Sequence, residues 1–286
     1  MSLAATAPLT LPVTLAVLFG ALLHASWNAM VKRRADPMLE LALVTLGASV
    51  LSLPLLWLVP PPPAAAWPFL LASIAIHVGY YATLVGTYRH ADLSLGYPLM
   101  RGTAPLIVTL AGLLLLGERP APATWGGIVL ICGGVIGLAW AGGRRAGMGR
   151  ACAFALANAT LIGAYTLVDA AGARTSGTAV SYVAWMFFLE GLPMAAWLAW
   201  RRGREWGAAL RTRWRHGLAG GACSAGSYGI AVWAMTVAPV GAVSALRETS
   251  VVFALGLAAW LLKERVGLRR WAGVGAVLAG AIALRM

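Results

Sequence analysis

The sequence predicts an all-α polytopic membrane protein of ten transmembrane helices, built as two inverted five-helix repeats. Three observations lead there. First, 60% of the residues are hydrophobic and only 11% are charged, where soluble domains carry about 25% charged residues. Such a chain has too little polar surface to cover a soluble fold. Second, ten apolar runs reach the ~20 residues that a helix needs to cross a bilayer. Third, one pattern is written twice. Arg101, Glu118, Arg119, Trp125, Gly127 and Gly134 recur as Arg247, Glu264, Arg265, Trp271, Gly273 and Gly280, each 146 residues later. Repetition in register at half the chain length marks two homologous halves, not a solenoid.

The apolar runs fall at 11–31, 38–59, 67–88, 93–116, 122–141, 150–168, 178–200, 217–238, 240–262 and 269–286. Short polar or Pro/Gly segments separate them, and Pro60 to Pro63 favour a stiff extended connector. The joint between the halves falls within 141–149, which gives repeats 1–143 and 144–286. Five helices per half is an odd number, so the second half enters the membrane in the opposite sense, as in many secondary transporters. The N-terminal residues Met1 to Thr10 hold no Lys or Arg. They lack the basic region of a secretory signal, so the first run is expected to stay as a spanning helix.

The net charge of +13 lies mostly in arginines between the runs. Such charges orient helices and touch anionic lipid headgroups. With no basic domain outside the runs, nucleic acid is not an expected partner. The basic loops follow helices 1, 5, 7 and 9, and loop charge alone puts them in the cytoplasm with both termini outside. Cys132, Cys152 and Cys223 lie in apolar runs as packing residues, with no disulfide framework. Gly133 and Gly137 on helix 5, and Ala272, Ala276 and Gly280 on helix 10, have the four-residue spacing that lets helices approach closely. They serve packing within the monomer or, alternatively, a homodimer face.

Tyr97-Pro98-Leu99-x-Arg101, Leu116-Gly117-Glu118-Arg119-Pro120 and Trp125-x-Gly127 resemble the EamA-type members of the drug/metabolite transporter superfamily. His24-Ala25-Ser26-Trp27-Asn28 and Tyr165-Thr166-Leu167-Val168-Asp169 are similar to that family too. The resemblance implies secondary transport of small metabolites such as amino acids, often export, by alternating access around a central cavity. It implies a bacterial inner membrane and both termini in the cytoplasm, against the loop-charge reading. It implies no cofactor and no metal. In the second copy Gly117 and Pro120 become Lys263 and Val266, which weakens that copy as a turn. A flippase for a lipid-linked or amphiphilic anion is the alternative within transport.

Ionisable groups inside apolar runs point to function. Glu190 lies mid-run, about 15 Å from either interface. It either carries a coupling proton or bonds a neighbouring helix as a neutral acid. Arg101 and Arg247 occupy matching repeat positions and each needs an anion: a small anionic or zwitterionic substrate, or a fixed structural acid. Glu248 stands where the first copy has Gly102. It is expected to pair with a neighbouring helix and not with Arg247, which would make Arg101 the freer anion ligand. Helical spacing aligns His24, Trp27 and Asn28; His77, Tyr80 and Tyr81; Asn158, Tyr165 and Asp169; and Ser224 and Tyr228, with Ser227 beside them. Trp185 joins Trp27 as a deep tryptophan. Such polar and aromatic stripes suit a small-molecule cavity. The expected proton-coupling acids are Glu190, Asp169 and Glu248, with Asp169 placed near its helix end. Neither H-E-x-x-H nor G-x-x-x-x-G-K-[ST] occurs. The alternative of another class is an intramembrane hydrolase using Ser224 or Ser227 with His24 or His77.

Overall fold

The computed structural model describes residues 9–32, 36–90, 93–140, 148–262 and 268–285. Among them every regular element is helical: α1 Leu11–Lys32, α2 Pro37–Leu58, a 3₁₀ turn Ala64–Ala66, α3 Trp67–His90, α4 Leu93–Leu115, α5 Pro122–Trp140, α6 Met148–Ser176, α7 Ala179–Val237, α8 Val240–Arg247, α9 Ser250–Leu262 and α10 Leu268–Ala283. The joint between the repeats and the second-copy Lys263-Glu264-Arg265 and Val266 lie outside the described residues. The expected ten spans are not reproduced one for one. Among the described residues seven helices are long and apolar enough to cross a membrane, with Pro122–Leu138 and Trp271–Ala283 shorter. The expected seventh and eighth spans are two helices that meet at a kink, where Arg202 leaves helical geometry (φ −134°, ψ 28°), and α7 covers both. We call 179–201 its first arm and 203–237 its second. The expected ninth span is broken between α8 and α9.

Local chemistry accounts for these limits. Asp36 caps α2 by accepting the Met38 and Leu39 amides at 3.1 Å each, and Pro37 suits the first helical position. The α8–α9 break carries 3₁₀-type bonds, Glu248 N–H to Ala245 C=O at 2.9 Å and Thr249 N–H to Leu246 C=O at 3.1 Å. The Thr249 hydroxyl also donates to the Leu246 carbonyl at 2.7 Å. These bonds meet the backbone groups that a break in lipid would otherwise leave unsatisfied. Past α4, Gly117 at φ +66° turns the chain in the left-handed region. The Glu118 amide then returns to the Gly112 carbonyl at 3.2 Å. The Glu118 carboxylate takes the Val240 amide at 3.0 and 3.1 Å, at the start of α8, and Arg174 at 3.0 Å. One end of the bundle is thereby latched across the repeats.

Packing repeats as the sequence does. α4 lies against α6, and its counterpart α8–α9 lies against α1, the counterpart of α6. α5 meets α10 through Gly127 with Gly280 and Gly134 with Gly273. Gly273 and Gly280 are Gly127 and Gly134 carried forward by 146 residues, so each glycine meets the counterpart of the other. That is the isologous pattern of a two-fold. The pairing runs antiparallel, because residue numbers rise on one helix as they fall on the other. A Cβ on Gly134 would sit 2.8 Å from the Gly273 carbonyl oxygen. Of the residues expected to pack here, Gly133 and Gly137 instead face open space. α2 packs against α7, with Gly191 of the first arm and Gly217 and Gly221 of the second all close to its backbone.

At the bent end Asp36 pairs with Arg202, and the buried Glu40 with Arg213 at 2.5 Å and His216 at 3.3 Å. Burial pushes the Asp36 carboxyl up, but the hydrogen bonds from Arg202, Leu39 and Met38 more than offset this and leave it below its ordinary value.

Two measurements check this packing. Gly134→Ala lowers the melting temperature in detergent, by the equivalent of about 1–3 kcal/mol, whereas Gly133→Ala stays within about 0.5 kcal/mol. Equal losses would refute the α5–α10 contact. A depressed carboxyl stabilises the fold above its unfolded value of about 3.9 and loses that contribution as pH falls through its folded value. Asp36 is partly exposed, so its share is at most about 1 kcal/mol. Asp36→Asn therefore lowers stability near neutral pH and flattens its fall below about pH 4. An unchanged acid limb would remove Asp36 from the account.

Candidate functional site

A cavity opens among α1, α2, α3, α4, α6, α7 and α8, with about 700 Å³ of space outside atoms, its open mouth included. It brings together the expected His24, Trp27, His77, Tyr80, Tyr81, Arg101, Tyr165, Glu190, Tyr228 and Arg247. The remaining expected residues lie off its wall. Asn28 donates to the His24 carbonyl at 2.8 Å, one turn back on its own helix. Asn158 ties α6 to α3 through the Tyr80 carbonyl at 3.0 Å and the Thr83 hydroxyl at 2.8 Å. Trp185 packs edge-on against Trp67 at 5.3 Å. Ser227 turns its carbonyl towards Gly20, and Asp169 and Glu248 are buried behind the wall. The sequence reading missed Leu41, Val44, Thr45 and Ala48 of α2, together with Phe187 and Gly191; Ser224, aligned with Tyr228 in the expected stripe, does line the wall. On α2 the available signal was Thr45 and Ser49, one turn apart in an apolar run. Both face Gly191, where a Cβ would meet the Ser49 hydroxyl and the Thr45 carbonyl.

The two repeat arginines have different surroundings. Arg101 Nε donates to Glu248 Oε2 at 2.9 Å, and both groups are buried. Glu248 thus pairs with a neighbouring helix and not with Arg247, as the sequence suggested. The consequence for the arginines is the reverse of the expected one. Among the described residues Arg247 has no ion pair and no hydrogen bond; its guanidinium lies 4.8 Å from the Tyr228 ring centre. Of the two, Arg247 is the one without a carboxylate partner among the described residues. Pro105 also denies the Arg101 carbonyl its usual helical donor, as proline has no N–H.

Glu190 accepts from the Tyr81 hydroxyl at 2.8 Å and lies 3.8 Å from His77 Nε2. His77 Nδ1 sits 2.9 Å from the Ser73 carbonyl, and its ring stacks on Tyr165 at 4.2 Å. A carbonyl only accepts, so Nδ1 carries its hydrogen and Nε2 faces the carboxylate. Asp169, expected near a helix end, is well inside α6, because that helix runs to Ser176 and not to 168. It accepts from Tyr182 at 2.9 Å and Tyr228 at 2.6 Å. Among the described residues neither Ser224 nor Ser227 hydrogen-bonds a histidine, so the triad that a hydrolase needs is not assembled there. No group of His, Cys, Asp and Glu among them is placed to hold a metal.

A profile of the EamA-like transporter family matches residues 11–140 and again 149–286. No curated protein matches the chain. Among solved structures, 27 chains match. One, a crystal structure described only as that of a protein, is 19% identical, with a TM-score of 0.73 over 95% of this chain and 96% of its own. At that identity the likeness shows the fold alone.

Removing one partner of a buried ion pair costs about 3–5 kcal/mol. Glu248→Gln keeps an acceptor, so its loss falls near the lower end, while Arg247→Gln loses only about 1 kcal/mol, the size of a cation–π contact. Thermal unfolding of the two purified variants compares them. A larger loss in Arg247→Gln would show that the pairing has been assigned to the wrong arginine.

Proposed function

Since the chain belongs to the EamA-like transporter family, it is a membrane transporter, and we propose that it carries a small organic solute bearing a carboxylate, an amino acid or a close relative. The observation that carries this reading is Arg247: a permanent cation on a cavity wall, with no ion pair or hydrogen bond among the described residues. A guanidinium there calls for an anion. Tyr228 backs it, Trp27, Tyr80, Tyr165 and Phe187 supply apolar and aromatic wall, and Glu190 with Tyr81 offers acceptors for an ammonium group. A zwitterion suits that set.

The two arms of α7 act as two crossings, because 59 residues make about 90 Å of helix against a hydrocarbon layer of about 30 Å. α8 and α9 act as one broken crossing, with the break at the substrate site as in many transporters. Counted so, the chain crosses ten times. The antiparallel two-fold contact of α5 with α10 supports an inverted relation of the halves. Transport proceeds by alternating access, in the direction of export from a bacterial cytoplasm, with Glu190 carrying the coupling proton.

A thermal-shift screen of the purified protein against amino acids and other carboxylates tests the substrate class, because a ligand of the folded state raises its melting temperature. The hit is expected to lose its shift in Arg247→Lys, which keeps the charge and loses the fork. In proteoliposomes Glu190→Gln is expected to exchange the same solute without responding to a pH gradient. Stabilisation by lipid-linked phosphates alone would turn the reading to a flippase. Gradient-driven transport by Glu190→Gln equal to the parent would end the coupling role.

A further inference from the structure

We propose that Asp169 is a second proton-binding site, sealed behind the cavity and joined to Glu190 through His77 and Ser73. Its purpose rests on the proton-coupled reading above; its test does not. Asp169 is fully buried and off the cavity wall. The hydroxyls of Tyr182 and Tyr228 donate to it at 2.9 and 2.6 Å, and Ser73 of α3 stands beside it. Gly172 gives Tyr182 its place, as a Cβ there would lie 2.3 Å from the tyrosine ring. His77 stands between the two acids. Its Nε2 faces Glu190 at 3.8 Å, and its Nδ1 lies 2.9 Å from the Ser73 carbonyl and 3.3 Å from the Ser73 hydroxyl.

Charge balance requires a proton in this cluster. Among the described residues this region holds two arginines, Arg101 and Arg247, and three carboxylates, Glu190, Asp169 and Glu248. With both histidines neutral, one negative charge is left over, and uncompensated charge in a low-dielectric interior is strongly disfavoured. Arg101 holds Glu248. The proton therefore belongs to Glu190, His77 or Asp169.

The surroundings confine it to that path. Asp169 is faced from α3 by Ser73 and His77 and from α7 by Tyr182 and Tyr228; the Arg247 guanidinium from α8 lies beyond, over the Tyr228 ring. Tyr80 and Tyr81 face His77 along its own helix, Tyr165 faces it from α6, and Glu190 and Tyr228 from α7. Glu190 meets Tyr81 and His77 from α3, with Thr45 and Ser49 of α2 beside Gly191.

The transfer balances. The Glu190 O–H proton moves to His77 Nε2 and leaves a carboxylate. The Nδ1 proton moves to the Ser73 oxygen as the Ser73 hydroxyl proton moves to Asp169. His77 ends neutral with its hydrogen on Nε2, Ser73 keeps one proton, and the net charge is unchanged. The reverse path resets it.

Infrared difference spectroscopy of the full-length protein in nanodiscs, without substrate, reads protonated carboxyl groups by their C=O stretch as the pH is stepped from about 9 to about 5. Asp169→Asn is expected to delete one pH-dependent band and Glu190→Gln another. Tyr228→Phe removes the 2.6 Å hydrogen bond to that carboxyl, so the Asp169 band should shift in frequency. His77→Phe should slow the deuterium shift of the Asp169 band and leave that of Glu190 unchanged. Should Asp169→Asn fail to fold, Tyr228→Phe carries the test. A band pattern untouched by Asp169→Asn or Tyr228→Phe would overturn the site, and an Asp169 exchange rate untouched by His77→Phe would overturn the relay. Failure of the carboxylate screen alone would sink the proposed substrate and leave these bands standing.

Discussion

A guanidinium held inside an apolar bundle keeps its proton and must be met by an anion. Two such groups sit at matching positions of the two repeats, and the structure meets them in different ways. Arg101 from the first half takes Glu248 from the second at 2.9 Å. That pair fixes α4 against the α8–α9 break and removes Glu248 from the reach of its own neighbour. Arg247 is left on the cavity wall over an aromatic ring. Among the described residues one arginine is thus paired with a carboxylate and the other is not, and both lie on the cavity wall.

The scaffold is symmetric and the site is not, for a steric reason. Gly102 is the counterpart of Glu248, and a Cβ on it would lie 2.6 Å from Ile136 of α5. No side chain fits there, so the first repeat has no place for an equivalent acid. The second repeat has one because its helix breaks at that point. Symmetric contacts survive where only packing is asked of them, as in the glycine pairs between α5 and α10.

This division also separates what was legible in the sequence from what was not. The apolar runs and the 146-residue offset are local or in-register signals, so fold class and repeat could be read directly. The stripes on α1, α3, α6 and the second arm of α7 followed from helical spacing and placed the aromatic part of the cavity wall, apart from Phe187. α2 was missed because Leu41, Val44 and Ala48 look like lipid-facing residues until their neighbours are known. That 203–216 is helical was missed because the arginines from Arg201 to Arg215 read as a loop, whereas backbone hydrogen bonding is indifferent to their charge. Which arginine is free depends on a contact between residues 147 apart, and no local pattern encodes it.

The two ends of the bundle are held by different physics. At one end Glu118 is buried, takes a backbone amide of α8 and pairs with Arg174. Charge-assisted bonds of this kind, shielded from water, are strong and costly to break. At the other end Asp36 and Arg202 are each about a third exposed, and such pairs contribute little and are screened by salt, while Glu40 beside them is buried against Arg213 and His216. The cavity lies towards that weaker end. Its α2 wall runs from Leu41 to Ala48, in the first half of the helix, and its α1 wall is His24 and Trp27, near the helix end beside Asp36. Opening the other way requires the Glu118 carboxylate to give up both the Val240 amide and Arg174. The sealed Asp169 would then be the acid nearest the new mouth, because α6 carries Asp169 and Arg174 little more than one turn apart.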